Sequence, residues 1–445
     1  MMRKALLIFS LLLSVAAASA NPAETTEALD IGSRLELFVD DFLIDQFQGL
    51  ELQLHPPESA GRVFSFDRPW EGNTSFYATI FQDGERYRMY YRGSSEPSAS
   101  PPWALEGDVN VVPKHPEFAC YAETSDGITW ERPSLGIFEF QGSKENNIVW
   151  TGKGSHNFAP FKDANPAAPP SARYKALAGG PLIALRSSDA LHWEKIQADP
   201  VISDGAFDSL NLPLWDDARS RYVAFYRGFN NGVRHVKFAT SQDFLTWTPG
   251  QWFDFGDAPA EHLYTNGTIA YSRAPHLFLA FPKRFHPWRN LLEDAPRAGL
   301  SDGVFMSSRD GLHWDRRFME AFIRPGRDPR NWLNRNNYPI PGLVATDSDE
   351  LSLYVIRNYK FPSIHIERMV LRIDGFASVH AGYAGGEFLT RPLIFQGGNL
   401  ILNFSTSAAG NIRLEIQDAQ GNPLPGFSLE ESPLVWGDEI EHTVR

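Results

Sequence analysis

One short pattern occurs four times, and it limits the possible folds more than any other feature. The copies are Ser125-Asp126-Gly127-Ile128-Thr129-Trp130, Ser188-Asp189-Ala190-Leu191-His192-Trp193, Asp243-Phe244-Leu245-Thr246-Trp247 and Ser308-Arg309-Asp310-Gly311-Leu312-His313-Trp314. In each, Asp precedes Trp by four residues, and successive Trp residues lie 63, 54 and 67 positions apart. Such an Asp accepts backbone N–H groups in a tight turn. The Trp that follows opens the next strand and packs between neighbouring units. A repeat of this length marks a modular architecture in which each unit buries its apolar face against the next.

The residues between the turns read as strands. Residues 86–91 (RYRMYY), 221–226 (RYVAFY), 276–281 (HLFLAF) and 351–356 (LSLYVI) are rich in aromatic and β-branched side chains and are bounded by turn formers. Helical periodicity is absent after the N-terminus. The expectation is an all-β chain, a five-bladed β-propeller over residues 31–376 followed by a C-terminal β-sandwich over 377–445. A ring of six blades is the alternative. First strands are expected to begin near Asn73, His156, Asp208, Tyr264 and Asn337, and residues 35–44 (LELFVDDFLI) are expected to complete a blade and close the ring. Beyond Asp374-Gly375-Phe376 the rhythm changes to short strands separated by Gly-Gly and Gly-Asn-Pro. About five strands fit there, so either the sandwich is small or the sequence is cut short.

At the N-terminus, Arg3 and Lys4 precede an apolar run from Ala5 to Ala17, then Ala18-Ser19-Ala20. That order describes a secretory signal peptide over residues 1–20, and hence a secreted or periplasmic protein. The run falls short of the about 20 residues needed to span a bilayer, so no membrane insertion is expected. With 41 Lys+Arg against 54 Asp+Glu, the formal charge is -13, which disfavours nucleic acid as a partner. Cys120 is the only cysteine and lies in a strand-like run, where burial is its expected role.

In a propeller the innermost strands line a central funnel, so their starts are the candidate site. They supply Glu71, His156 and Asn157, Asp208 and Asn211, then Glu261, His262 and Tyr264, and finally Arg335. Asp208, Glu261 and Glu71 are the candidate catalytic carboxylates, because glycoside hydrolysis needs one carboxylic acid and one carboxylate base or nucleophile. The others are candidate substrate contacts, joined by Arg284 in the loop Lys283-Arg284-Phe285-His286-Pro287-Trp288 and by Trp332. Trp70 and Trp103 also lie in loops and offer faces for sugar rings. The basic loop suggests an acidic or sulfated carbohydrate, since Arg forks pair with such groups. No metal-ligand spacing and no phosphate-cradling glycine loop is present, so no metal or cofactor is expected.

The Asp-turn-Trp repeats and the propeller-plus-sandwich order resemble the five-bladed glycosidases of the invertase, arabinanase and neoagarooligosaccharide hydrolase type. The blocks LELFVDDFLID, FDSLNLPLWD and FMSSRDGLHW also look like exported bacterial proteins labelled glycosidase-like. The resemblance spans about Leu35 to the C-terminus and implies a secreted glycoside hydrolase. The invertase-type Asn-Asp-Pro-Asn block is missing from the first blade. The Arg327-Asp328-Pro329 triplet follows the fourth turn rather than lying in the second blade, so no catalytic role is carried to Asp328. A non-catalytic polysaccharide-binding propeller is the alternative function.

Overall fold

The computed structural model describes residues 28–96, 113–291, 298–333 and 335–444. The expected signal peptide and Trp103 lie outside them. The described chain is all-β, with 30 strands and four 3-10 turns. None of its helices is long and apolar enough to cross a membrane.

Five antiparallel sheets follow one another along the chain. The first comprises Phe76–Asp83, Arg86–Gly93, Phe118–Thr124 and Ile148–Thr151. The second comprises Ala159–Lys162, Tyr174–Gly179, Leu182–Ser187 and Glu194–Lys195, and the third Leu212–Asp216, Arg221–Asn230, Val233–Ser241 and Gln251–Trp252. In the fourth, each of three successive strand paths is interrupted, which gives two three-stranded sheets. One interruption is Asn266-Gly267, where a Cβ on Gly267 would lie 2.4 Å from the Phe281 carbonyl oxygen. Gly267 also has a φ of +59°, so glycine alone suits that approach. The fifth sheet runs Tyr338–Ala345, Glu350–Arg357, His365–Arg372 and then Glu58–Ser65. The first strands of the five sheets contact one another in a closed cycle. Aromatic side chains fill the centre, among them Phe76, Tyr77, Tyr264, Tyr338 and Tyr359.

The four repeated turns are built alike. Asp126, Asp189, Asp243 and Asp310 each use Oδ1 to accept the N–H groups of the residues two and three positions on, at 2.7–2.9 Å. Two residues before each Asp, the hydroxyl of Thr124, Ser187, Ser241 or Ser308 accepts a third N–H. The residue after the Asp takes a left-handed conformation, which Gly127 and Gly311 adopt freely and Ala190 and Phe244 adopt at a cost. Trp193, Trp247 and Trp314 then donate their indole N–H to the carbonyl three residues back. Trp314 is buried, stacked on Phe253 at 4.8 Å, whereas Trp130, Trp193 and Trp247 are half-buried. Cys120 is fully buried in the first sheet.

Two expectations need correction. Residues 35–44 do not close the ring. They form an irregular segment on the fourth sheet, where Leu37 and Val39 join its apolar core. Arg309 bonds Asp40 at 2.7 Å and Glu36 at 3.0 Å, and these charge pairs tie down turns rather than a strand. The closing strand is Glu58–Ser65 instead. The second correction concerns the C-terminal segment, which does not pair only with itself. Ala377–Ala381, Glu387–Thr390 and Leu393–Phe395 pair with Leu50–Leu54, Ile44–Gln48 and Leu29–Gly32, whereas Leu400–Ser405 pairs with Asp438–Val444 and isolated bridges join Ile412 to Val435 and Gln417 to Pro423 within the segment. A boundary at residue 376 therefore cuts across shared sheets.

Replacing Asp243 with Ala removes two backbone hydrogen bonds at an exposed turn. The expected loss is about 1–2 kcal/mol in denaturant unfolding. An unchanged midpoint would show that the turn is held by the Ser241 hydroxyl alone.

Candidate functional site

The loops entering the first strands converge on one pocket. Its lining includes Tyr77, Arg92, Glu117, His156, Asp208, Tyr264 and Arg335. A second cleft of about 600 Å³ shares Glu117, His156 and Asp208 and extends along Gly152–Gly154 and Gly179–Pro181. His156 sits between the two carboxylates. Its Nε2 lies 2.9 Å from Asp208 Oδ1, and its Nδ1 lies 2.9 Å from Glu117 Oε2. The Tyr77 hydroxyl reaches Asp208 Oδ1 at 3.2 Å, and the Tyr77 ring meets His156 edge-on at 5.3 Å. Arg92 approaches Glu117 Oε1 at 3.5 Å from the side and donates to the Thr74 carbonyl.

Each of these positions has a local cause. His156 occupies a short 3-10 turn just before the second sheet, and Asp208 the loop before the third. Glu117 immediately precedes the strand Phe118–Thr124. Tyr77 has a φ of +46°, unusual for an aromatic residue, at a register shift between Phe76 and Thr79. That bulge aims its side chain inward.

The electrostatics follow from the contacts. Burial pushes His156 down, but hydrogen bonds from its ring to Asp208 and Glu117 outweigh it and raise its pKa above the usual 6.5. Burial would raise Asp208, yet the His156 hydrogen bond, the imidazolium charge and the nearby Arg227 and Arg335 bring it to about 2. Glu117 is likewise held low, because the bond to His156 and the charge of Arg92 outweigh its burial. One imidazole whose affinity for its proton is raised is thus flanked by two carboxylates whose affinity is lowered. Burial raises Tyr77 far above the ordinary phenol range, so it remains a proton-bearing donor.

Asp208, His156, Tyr264 and Arg335, all singled out from sequence, meet at this pocket. The remaining candidates sit outside that pocket, and of them Asn157 lines the adjoining cleft. Glu71 is fully buried, accepts from Tyr91 at 2.5 Å and Arg132 at 2.9 Å, and lies outside the pocket lining. Its pKa is raised by burial, and its observed role is to anchor Arg132 against the first sheet. Glu261 is paired with Arg284 at 3.2 Å and Arg316 at 2.7 Å. Arg284 is also spent on Asp302, at 2.7 Å, and is thus tied into the fourth sheet rather than offered to a ligand. His262 meets the Arg234 backbone N–H, and Trp332 donates to the Gly326 carbonyl. Trp70 donates to Asn147.

Asn157 and Asn211 are structural. Asn157 donates to the carbonyls of Gly179, Phe207 and Ser209 and accepts from the Gly179 N–H. Asn211 donates to Phe207 and Ser209 and accepts from the Arg227 N–H. Asn266 and Asn337 make similar latches in the fourth and fifth sheets. A buried amide at each strand start satisfies carbonyls that the sheets leave unpaired. Sequence reading missed Arg92, on the second strand of the first sheet, and Glu117, just before the third. The one signal for Glu117 was a carboxylate directly abutting a strand. Among the described residues, no group of three or more His, Cys, Asp or Glu side chains is placed to hold a metal ion.

No family model matches this chain, and no curated protein matches its sequence. Among solved structures it is similar to a glycoside hydrolase at 13% identity, covering 71% of this chain and 92% of that one with a TM-score of 0.45. It is similar to a β-1,2-mannobiose phosphorylase from Listeria innocua at 10% identity, covering 71% and 97% with a TM-score of 0.44. A glycosyl hydrolase from Bacteroides ovatus is matched at 13% identity over 78% of this chain and 98% of that one, with a TM-score of 0.40.

The charge pattern is open to direct measurement. In an NMR titration, the His156 ring is expected to deprotonate above pH 6.5, and Asp208→Asn to lower that midpoint by removing the leading stabilising hydrogen bond. A wild-type midpoint at or below 6.5 would refute the bridged arrangement.

Proposed function

We propose that this chain is an exported, five-bladed β-propeller glycoside hydrolase whose acid/base unit is Glu117, His156 and Asp208. The observation carrying the reading is His156 shared by two carboxylates on the floor of a central pocket. The closed cycle of five sheets supports the propeller, and the Arg3-to-Ala20 pattern supports export.

Glycoside cleavage needs a proton delivered to the leaving oxygen and another removed from water. His156 carries the available proton, since both neighbouring carboxylates are held ionised. The carboxylates are each bonded to a different nitrogen of the His156 ring, which lies between them, so the water and the sugar must approach from the open side of the unit. In this reading the imidazolium, held against Asp208, supplies the proton, and Glu117 takes one from water. Tyr77 and Arg92 position the two carboxylates. In the adjoining cleft of about 600 Å³, Phe207 and Pro181 offer apolar surface to the C–H faces of a sugar ring.

The test is oligosaccharide cleavage followed by product mass spectrometry, with a broad glycan panel. Asp208→Asn, Glu117→Gln and His156→Gln are each expected to lower kcat/KM about 10²-fold or more, with Tm little changed. Full activity in the Asp208 variant would refute the assignment. Binding of glycans without cleavage of any would replace it with a polysaccharide-binding propeller. The pH profile gives a second check, because the unit needs Asp208 ionised and His156 protonated. Activity should rise as pH passes the Asp208 value of about 2 and fall as pH climbs through a His156 value above 6.5. An activity that keeps rising into alkaline pH would contradict the imidazolium as donor.

A further inference from the structure

Four basic side chains surround one aromatic ring, Tyr264; the ring and Arg335 line this pocket, and Arg227, Arg234 and Lys283 stand behind them. Lys283 Nζ lies 4.3 Å from the centroid of Tyr264, and the guanidinium carbons of Arg227, Arg234 and Arg335 lie 5.1, 5.5 and 5.6 Å from it. They come from three different sheets. Arg227 and Arg234 come from the two strands of the third-sheet hairpin, opposite Val236 and Phe229, Lys283 begins a strand of the fourth, and Arg335 leads into the fifth. None of the four makes an ion pair with a carboxylate among the described residues. Lys283 is fully buried and donates only to the Arg335 carbonyl, and Arg227 is buried and donates to the Ala206 carbonyl. The Nε of Arg234 is buried without a partner.

Desolvated cations without counter-ions are costly, and like charges at close range add to that cost. Contact with an aromatic face offsets only part of it. Two consequences are visible: burial and the three neighbouring guanidinium groups depress Lys283 well below the ordinary lysine range, and burial and the other arginines lower Arg234. The chain carries 54 acidic residues against 41 basic ones, so acidic partners for these cations are not scarce overall. They are missing at this place. The one carboxylate facing the group, Asp208, is already bonded to His156 and Tyr77.

We infer that this cationic wall binds an anion carried by the substrate itself, the carboxylate of a uronic acid residue. The inference rests on the reading of the pocket as a glycan site and names its substrate class. Tyr264 and Arg335 line the same pocket as Asp208 and His156, so an anion held there belongs to a sugar next to the cleaved bond. Guanidinium forks match the planar carboxylate, and the aromatic side chains beside them accept the ring that bears it. The strand Lys283–His286 contributes through Lys283, while Arg284 is committed to Asp302 and Glu261.

Calorimetric titration of the full chain provides the test, with three probes. These are a panel of oligouronides, the same oligosaccharides after carboxyl reduction, and sodium phosphate. Oligouronides are expected to bind about tenfold or more tightly than their reduced counterparts. Arg234→Gln and Arg335→Gln should each erase most of that difference. The Tm of the unliganded variants should hold or rise, since each loses an unpaired cation. A fall in Tm with no change in the preference would mark these arginines as structural and overturn the inference. Equal binding of the reduced sugars would overturn it too, as would failure of every oligouronide to bind. Phosphate binding more tightly than any oligouronide and displacing it would assign the wall to a free oxyanion and also refute it. If oligouronides bind as expected but remain intact, the hydrolytic reading fails and this one stands. If neutral glycans are cleaved while oligouronides do not bind, the reverse holds.

Discussion

Pairing between Glu58–Ser65 and His365–Arg372 is the constraint on which the central geometry depends. It joins a strand near the start of the described chain to the last full sheet, so the five sheets have no free end around the cycle. A cyclic arrangement of this kind removes the exposed edges that invite further pairing. It also fixes the five first strands at mutual contact distance, and the loops entering them have one place to converge. Without that closure, Tyr77 from the first sheet, Asp208 before the third and Arg335 before the fifth would have no reason to share a pocket.

Closure alone leaves the strand starts with unpaired backbone groups, and buried amides satisfy them. Asn157, Asn211, Asn266 and Asn337 each bridge carbonyls of neighbouring loops. Buried polar atoms are tolerated only when satisfied, and here one residue type does the same task in successive sheets. The rigidity this confers reaches the site. Asn157 follows His156 directly and holds the Phe207 and Ser209 carbonyls on either side of Asp208. The ring nitrogen and the carboxylate it meets are therefore positioned by one side chain between them.

Charge divides the pocket into two regions. On one side His156 is balanced by Asp208 and Glu117, which raise the pKa of its ring while it lowers theirs. On the other, Arg227, Arg234, Lys283 and Arg335 gather at Tyr264 with no acidic partner of their own. Asp208 lies where the two meet, which is why its carboxyl is held so low. An acidic protein that concentrates unpaired cations at its centre has a local field opposite to its net charge.

The sequence by itself determined the repeating architecture, because that information is local. A Ser or Thr, an Asp and a Trp at fixed offsets satisfy each other's hydrogen bonds within one turn, so Asp126, Asp189, Asp243 and Asp310 could be recognised before any fold was known. The same reading placed Asp208 and His156 at strand starts, and these do meet. It could not separate Asn157 and Asn211, which latch backbone, from ligand-binding amides, since both roles want a polar residue at that position. Glu71 and Glu261 looked equivalent to Asp208 along the chain, yet Arg132 claims one, and Arg284 with Arg316 the other. Arg92 lies on the second strand of the first sheet and Glu117 just before the third, and only tertiary packing brings them beside His156. Which strand closes the ring was also a tertiary decision: residues 35–44 have the apolar content, but Arg309 pairs with Glu36 and Asp40 and leaves that place to Glu58–Ser65. Local hydrogen bonding is written in neighbouring residues, whereas the partner of a charge is set by whatever the closed ring brings within reach.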